Sequence, residues 1–411
     1  MKASCIALAA LAGLTTFVSA TAADKICRPA PVSSGLDTLS LQKAIDDCAG
    51  KGVVRLDGKA IYVTAPLMLR SHTVLEIAPG TTLEGSFNHA DYSPMEVLRE
   101  KGLQPLLLAK DVEDITIRGG GVIDGRGESW WPLAASAASR PRLILFDHSH
   151  HILMENVTVK NSPSWQIVAY YSEHLTFRNM TITAPNRVSH NTDGIDPFAS
   201  KHVLIDHVTI DTGDDNVAIK SGQPRSAGPD SPSEDIRIVD CIFRHGHGLS
   251  IGSELSGGAK NVVAERISFD GTDQGIRVKS GRDRGNDIGG FVFRDITMKN
   301  VGTAIMLTHY YGAPKGQNGS NATPAPITAL TPHFHDIAME NVRVESARSG
   351  LLIDGLPESP MKGVSLKNVS ITADTGAVIR HADVTLENVV IHPKEGEAFT
   401  KGPGAHLVEK P

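Results

Sequence analysis

Apolar and polar positions alternate in twos along most of this chain, and the alternation itself repeats. The unit is an apolar triplet with a free middle position, a polar pair, and a second such triplet. It reads ILMENVTV from Ile152, LTFRNMTI from Leu175, VLIDHVTI from Val203, IRIVDCIF from Ile236, VVAERISF from Val262 and FVFRDITM from Phe291. It continues as IAMENVRV from Ile337, VSLKNVSI from Val364 and VTLENVVI from Val384, with a weaker copy, DITIRGGGVID, from Asp114. Starts lie roughly 20–33 residues apart, with one longer step before Ile337, a range in which repetition means a solenoid.

A period of two predicts strands. The polar pair predicts a bend between two short strands, with Asn156, Asn179, Asp240, Asp295, Asn341, Asn368 and Asn388 in it. Asn and Asp tolerate such a turn and hydrogen-bond its backbone, so these residues are structural, the acids among them included. A third apolar run follows each unit: QIVAY from Gln166, GIDPF from Gly194, NVAIKSG from Asn216, GLSIGSE from Gly248, GIRVKSG from Gly275, AIMLTHY from Ala304 and GLLIDGL from Gly350. The fold predicted is all-β, a single-stranded right-handed parallel β-helix. A short helical pattern over 39–49 would cap its N-terminal end.

Of 411 residues, 40% are hydrophobic and 21% charged, enough for a core and unlike a disordered chain. The 39 glycines and 23 prolines show no collagen period and read as turns. A net charge of -6 excludes a general nucleic-acid binder, because no global positive field exists to hold phosphates. Lys2, the apolar run from Ile6 to Val18 and small residues to Ala22 read as a secretory signal peptide over 1–22. The catalytic β-helix domain is then 23–411. No later run is long enough to span a membrane, so a soluble protein, extracellular or periplasmic, is expected. Export permits disulfides. Cys27 and Cys48, bracketing the helical pattern, are expected to pair, and Cys241 to be a buried free thiol.

The unusual polar chemistry is concentrated in four successive third-strand segments: Asn191-Thr192-Asp193-Gly194, Gly213-Asp214-Asp215-Asn216, Gly246-His247-Gly248 and Arg277-Val278-Lys279. Equivalent positions on adjacent coils lie about 4.7–4.9 Å apart, so these residues should form one strip. A solvated edge would scatter Lys and Glu instead. The glycines beside Asp193, Asp214 and His247 are read as backbone kept clear of a ligand. Three crowded carboxylates cannot all ionise easily, so one should have a raised pKa and act as an acid while another activates water. Arg277 and Lys279 would neutralise the carboxylate of an acidic sugar.

The quartet NTDG, GDD, GHG and RVK resembles the four signature motifs of glycoside hydrolase family 28, the polygalacturonases. NTDGIDP and TGDDNVAIKSG are similar to bacterial members, and the resemblance spans roughly Asp24 to the C-terminal region. It implies a pectin-lyase-like solenoid that hydrolyses polygalacturonate with inversion. Asp214 is then the general acid, Asp193 and Asp215 hold and activate water, and His247 supports the acid. Arg277 and Lys279 bind the galacturonate carboxylate, with Asn191 and Tyr311 also contacting substrate. No cofactor or metal is implied. The expected partner is pectin or polygalacturonate, and a monomer is expected. Internal cutting and end trimming stay open. So do a rhamnose-containing pectin backbone as substrate, a lyase on the same solenoid, and a non-catalytic binding protein.

Asp196 is kept as a supporting candidate, while Lys220 either adds to the basic strip or ends its strand, the second reading being favoured. The triplet His148, His150, His151 lacks a completing acid or cysteine at metal-ligand spacing. Trp130, Trp131 and Trp165 either pack a loop or help shape the cleft, with packing the default reading. Long segments over 223–235 and 311–332 are candidate cleft walls.

Overall fold

The computed structural model describes residues 25–30, 32, 34–58, 61–133, 139–222 and 231–410. The signal-peptide reading of 1–22 lies outside the described residues, as does most of the segment 223–235.

The chain winds into a right-handed parallel β-helix whose coils pair in register along three sheets. In the first sheet the ladder runs Leu75, Ile117, Met154, Phe177, Ile205, Ile238, Ala264, Phe293, Met339 and Leu366. In the third sheet it runs Leu107, Ile144, Ile167, Ile195, Val217, Leu249, Ile276, Ile305 and Leu351. Both ladders point inward and belong to one continuous buried core. Each coil covers the apolar face of its neighbour, so the core is a column rather than a globule.

The bend residues behave as their chemistry requires. Asn156, Asn179, Asp240, Asp295, Asn341, Asn368 and Asn388 all have φ between 52° and 56°, the left-handed region where most L side chains clash with the following carbonyl. His207 and Arg266 fill the same slot in their coils. The amides also stack: Asn388 Nδ2 donates to Asn368 Oδ1 at 2.9 Å, Asn368 to Asn341 at 3.1 Å, and Asn341 to Asp295 at 2.8 Å.

The helix Thr38–Cys48 closes the N-terminal end, burying Leu41, Ala44, Ile45 and Cys48. Cys48 is disulfide-bonded to Cys27, whose strand Lys25–Cys27 pairs with Gly52–Leu56. Cys241 is free and buried. One element has no counterpart in the repeat pattern. Pro94–Val97 and Glu100–Leu103 form an antiparallel hairpin that packs Val97 and Leu98 against Leu108, Leu145, Val168, Tyr170 and Phe198.

Candidate active site

The four segments fall on consecutive coils. The strands Ile195–Phe198, Val217–Ile219, Leu249–Ile251 and Gln274–Lys279 pair with Ile195, Val217, Leu249 and Ile276 in register. Asp193, Asp214, Asp215 and His247 sit in the loops entering these strands, while Arg277 and Lys279 point outward from the last of them. Asp214, Asp215, His247, Arg277 and Lys279 are thereby joined in one polar network on the outer face of the third sheet, and Asp193 lies beside them, paired with Lys220.

Asp215 is its anchor. Lys279 Nζ donates to Asp215 Oδ2 at 2.8 Å, and Arg277 Nη2 and Ser250 Oγ both donate to Oδ1, the serine at 2.9 Å. Arg277 Nε donates in turn to Ser250 Oγ at 2.9 Å. Asp214 Oδ1 lies 2.9 Å from His247 Nδ1, and its Oδ2 accepts the Asn191 backbone N–H at 3.2 Å. The Asn191 side-chain amide approaches the same oxygen at 3.4 Å. Tyr311 is 42% exposed and places its ring 5.0 Å from Lys279 Nζ. Tyr310 turns away and donates to Gly355 O. Among the sequence-predicted site residues, none is left outside the cluster.

The glycines serve a purpose other than the one read from sequence. A Cβ on Gly246 or Gly248 would strike the carbonyl oxygens of Asp214 and Gln274, and both residues have positive φ, 84° and 75°. They permit close stacking of loop on loop, not approach of a ligand.

Electrostatics correct a second expectation. The carboxyl pushed up is Asp193, to about 7, by burial first and then by Asp214, with Lys220 pulling the other way. Asp196 also rises well above the usual range through burial and Asp193. Burial pushes Asp214 upward most strongly, but the hydrogen bond from His247 and the charges of His247 and Lys279 together outweigh it and leave the group below its ordinary value. Burial acts on Asp215 too, and Lys279 and Arg277 overwhelm it, holding that carboxylate ionised. His247 is raised, chiefly by the Asp214 hydrogen bond. Asp214 is nevertheless the carboxylate that faces the cleft: its side chain is 19% exposed, against 4% for Asp193 and 2% for Asp215.

Lys220 follows the last residue of the strand Val217–Ile219, but it does more than end it. Its buried ammonium lies 3.4 Å from Asp193, 3.8 Å from Asp196 and 3.8 Å from Glu254, and 4.7 Å from the Trp165 ring centroid. Arg142 packs over the same ring, so Trp165 is part of the polar floor as well as packing. Three further groups escaped the sequence reading. Buried Arg140 donates to Pro163 O, His190 O and Asn191 Oδ1 at 2.7–2.8 Å and fixes the loop carrying Asp193. Asn216 donates to the carbonyls of Ile210, Arg244 and His245, accepts the Gly248 N–H, and so ties the Asp214 loop to the His247 loop. Asp273 lies 3.7 Å from His247 Nε2. Only Asn216 carried a signal, its place directly after the paired aspartates.

Asp214, Asp215 and His247 offer ligand atoms within 4.8 Å of one another. Both Asp215 oxygens are already held by cationic side chains, which oppose a metal ion there. His148, His150 and His151 are instead engaged singly, with Asp147, Glu113 and Asp114.

Stacked coils bearing a carboxylate trio, a histidine and two outward cations make an arrangement suited to a solenoid glycoside hydrolase. The glycosyl hydrolases family 28 model matches residues 68–392, and the chain belongs to that family. It is a polygalacturonase-type glycoside hydrolase. It is 32% identical to an endo-polygalacturonase of Pectobacterium carotovorum subsp. carotovorum over 389 residues, 89% of this chain and 92% of that protein. It is 27% identical to an exo-poly-alpha-D-galacturonosidase of Dickeya chrysanthemi, covering 86% of this chain and 64% of that one. The solved structure of the polygalacturonase from Erwinia carotovora ssp. carotovora superposes with a TM-score of 0.75 at 30% identity, over 90% of this chain and 99% of the other.

Proposed function

We propose that this enzyme hydrolyses the α-1,4-galacturonosidic bonds of de-esterified pectin with inversion, acting as a secreted monomer. The observation that carries the reading is the pairing of two cations, Arg277 and Lys279, on Asp215 beside the Asp214–His247 pair. The two cations carry one positive charge more than Asp215 neutralises; a galacturonate carboxylate takes it up, which a neutral sugar does not.

In this mechanism the Asp214–His247 pair holds the proton delivered to the glycosidic oxygen. In the solvated cleft that proton rests on His247. Substrate displaces water from Asp214, burial then raises its pKa, and the proton crosses the 2.9 Å bond to Asp214. Asp215, kept anionic, and Asp193 orient and deprotonate the attacking water. Arg277 and Lys279 bind the sugar carboxylate, while Asn191 and Tyr311 border the same space and contact the ring.

Incubation of the purified mature protein with polygalacturonate tests this. New reducing ends should appear without unsaturated sugars, and methyl esterification should slow the reaction because it removes the charge that Arg277 and Lys279 meet. Unsaturated products, or no new ends, would overturn the reading.

A further inference from the structure

The outward face of the third sheet is treated differently on the two sides of the catalytic coils. Upstream, Leu145 pairs with Val168, which pairs with Asp196. Leu145 and Val168 point away from the core yet have no exposed surface. Downstream, the same column continues through Arg277, Met306, Leu352 and Val378, and all four are part-exposed.

What covers the upstream face is the hairpin Pro94–Val97/Glu100–Leu103. Val97 and Leu98, 1% and 2% exposed, lie in one apolar cluster with Leu145, Val168 and Phe198. Phe198 ends the strand Ile195–Phe198, whose entering loop carries Asp193. Asp214 and Asp215 belong to the very next coil. A sheet packed on a sheet stands about 10 Å above it, and each coil advances about 4.8 Å. A chain whose carboxylate is held at the floor by Arg277 and Lys279 therefore meets a step one or two coils upstream of the acids. Among the described residues, Met306, Leu352 and Val378 carry no such cover downstream; the segment 311–331 packs at the strand ends instead, on Asp354 and His381.

The hairpin is firmly held. Its turn residues Leu98 and Arg99 both have left-handed φ, 54° and 62°, a conformation usually given to Asn-Gly. Burial of Leu98 and the Arg99 guanidinium over the Tyr171 ring at 4.9 Å offset that strain.

We infer that the cleft is blind on its upstream side, so that the enzyme trims one or two galacturonate residues at a time from a chain end instead of cutting inside the polymer. The inference rests on the polygalacturonate reading above. Each event adds one water across one glycosidic bond, the hydroxyl to the anomeric carbon and the proton to the leaving oxygen. Relatives named for both internal and terminal cleavage match the chain, so kinship leaves the mode open and the hairpin decides it.

The test is a time course on polygalacturonate, read by anion-exchange chromatography and viscometry together. Monomer or dimer alone from the first time points, with viscosity falling slowly per bond cut, is the expected result. A ladder of intermediate sizes with early collapse of viscosity would overturn the inference while leaving the hydrolase reading intact. Absence of new reducing ends would defeat that reading and the inference with it. A second chain, in which a two-residue Asn-Gly turn replaces residues 95–102 and the uncovered face carries Leu145→Thr and Val168→Thr, should gain intermediate-size products. If it folds by circular dichroism and still yields only monomer or dimer, the hairpin is not the wall. If it does not fold, the product profile of the natural chain decides alone.

Discussion

In the proposed mechanism Asp214 and Asp193 divide the proton work of the site by exposure. Asp214 is the more exposed and lies 2.9 Å from His247, from which it would take its proton, and Asp193 is buried with its own pKa near 7. Asp214→Asn should lower kcat by about 10²–10⁴-fold, the usual worth of a positioned acid, with an unchanged circular dichroism spectrum. Near-normal turnover would remove Asp214 from that role. Lys220→Met makes a different prediction. Lys220 pulls the Asp193 pKa down, and Asp193 works as a base only when deprotonated. Its removal sends that pKa higher, so the acid limb of the kcat/KM profile should move to higher pH. Stripping a buried cation from its carboxylates should also cost roughly 3–5 kcal/mol of stability, measurable by urea unfolding. The motif residues were legible because unusual types recur at matching strand positions. Lys220, Arg140 and Asp273 were not, since their roles depend on how far a side chain reaches across coils, which alternation along one strand does not encode.

At the scale of elements, the bends and the repeat strands were legible for the same reason: each carries a local chemical requirement, left-handed backbone or period-two burial. Asn341 shows the energetics. It adopts φ 54° and bridges Asp295 and Asn368. Asn341→Val should destabilise by roughly 2–4 kcal/mol, combining about 1–2 for a β-branched residue in that region with about 0.5–1 for each of the two lost hydrogen bonds. Urea midpoints would measure it, and a change below about 0.5 kcal/mol, within the range of a neutral surface substitution, would show that the amide stack is incidental. The hairpin at 94–103 was illegible. Its turn is Leu98-Arg99 with no Gly, Asn or Pro, so tertiary burial overrides turn preference there. The glycines around Asp214 and His247 were located correctly by the sequence but given the wrong purpose, because the neighbour that crowds them is the next coil.

For the whole molecule, winding does the assembly: residues from Asn191 to Lys279 meet because four coils stack in register, not because they are close in the chain. The repeat announced that winding and the order of the motifs along it. It did not announce where the groove stops, since the blocking element interrupts the repeat instead of belonging to it. The central claim is that this stacked groove hydrolyses galacturonosidic bonds by direct displacement with water. Proton NMR of the first product formed from an oligogalacturonate tests it most directly. The account predicts a β-anomer at the new reducing end before mutarotation and no vinylic proton. An α-anomer appearing first, or a vinylic signal, would contradict it.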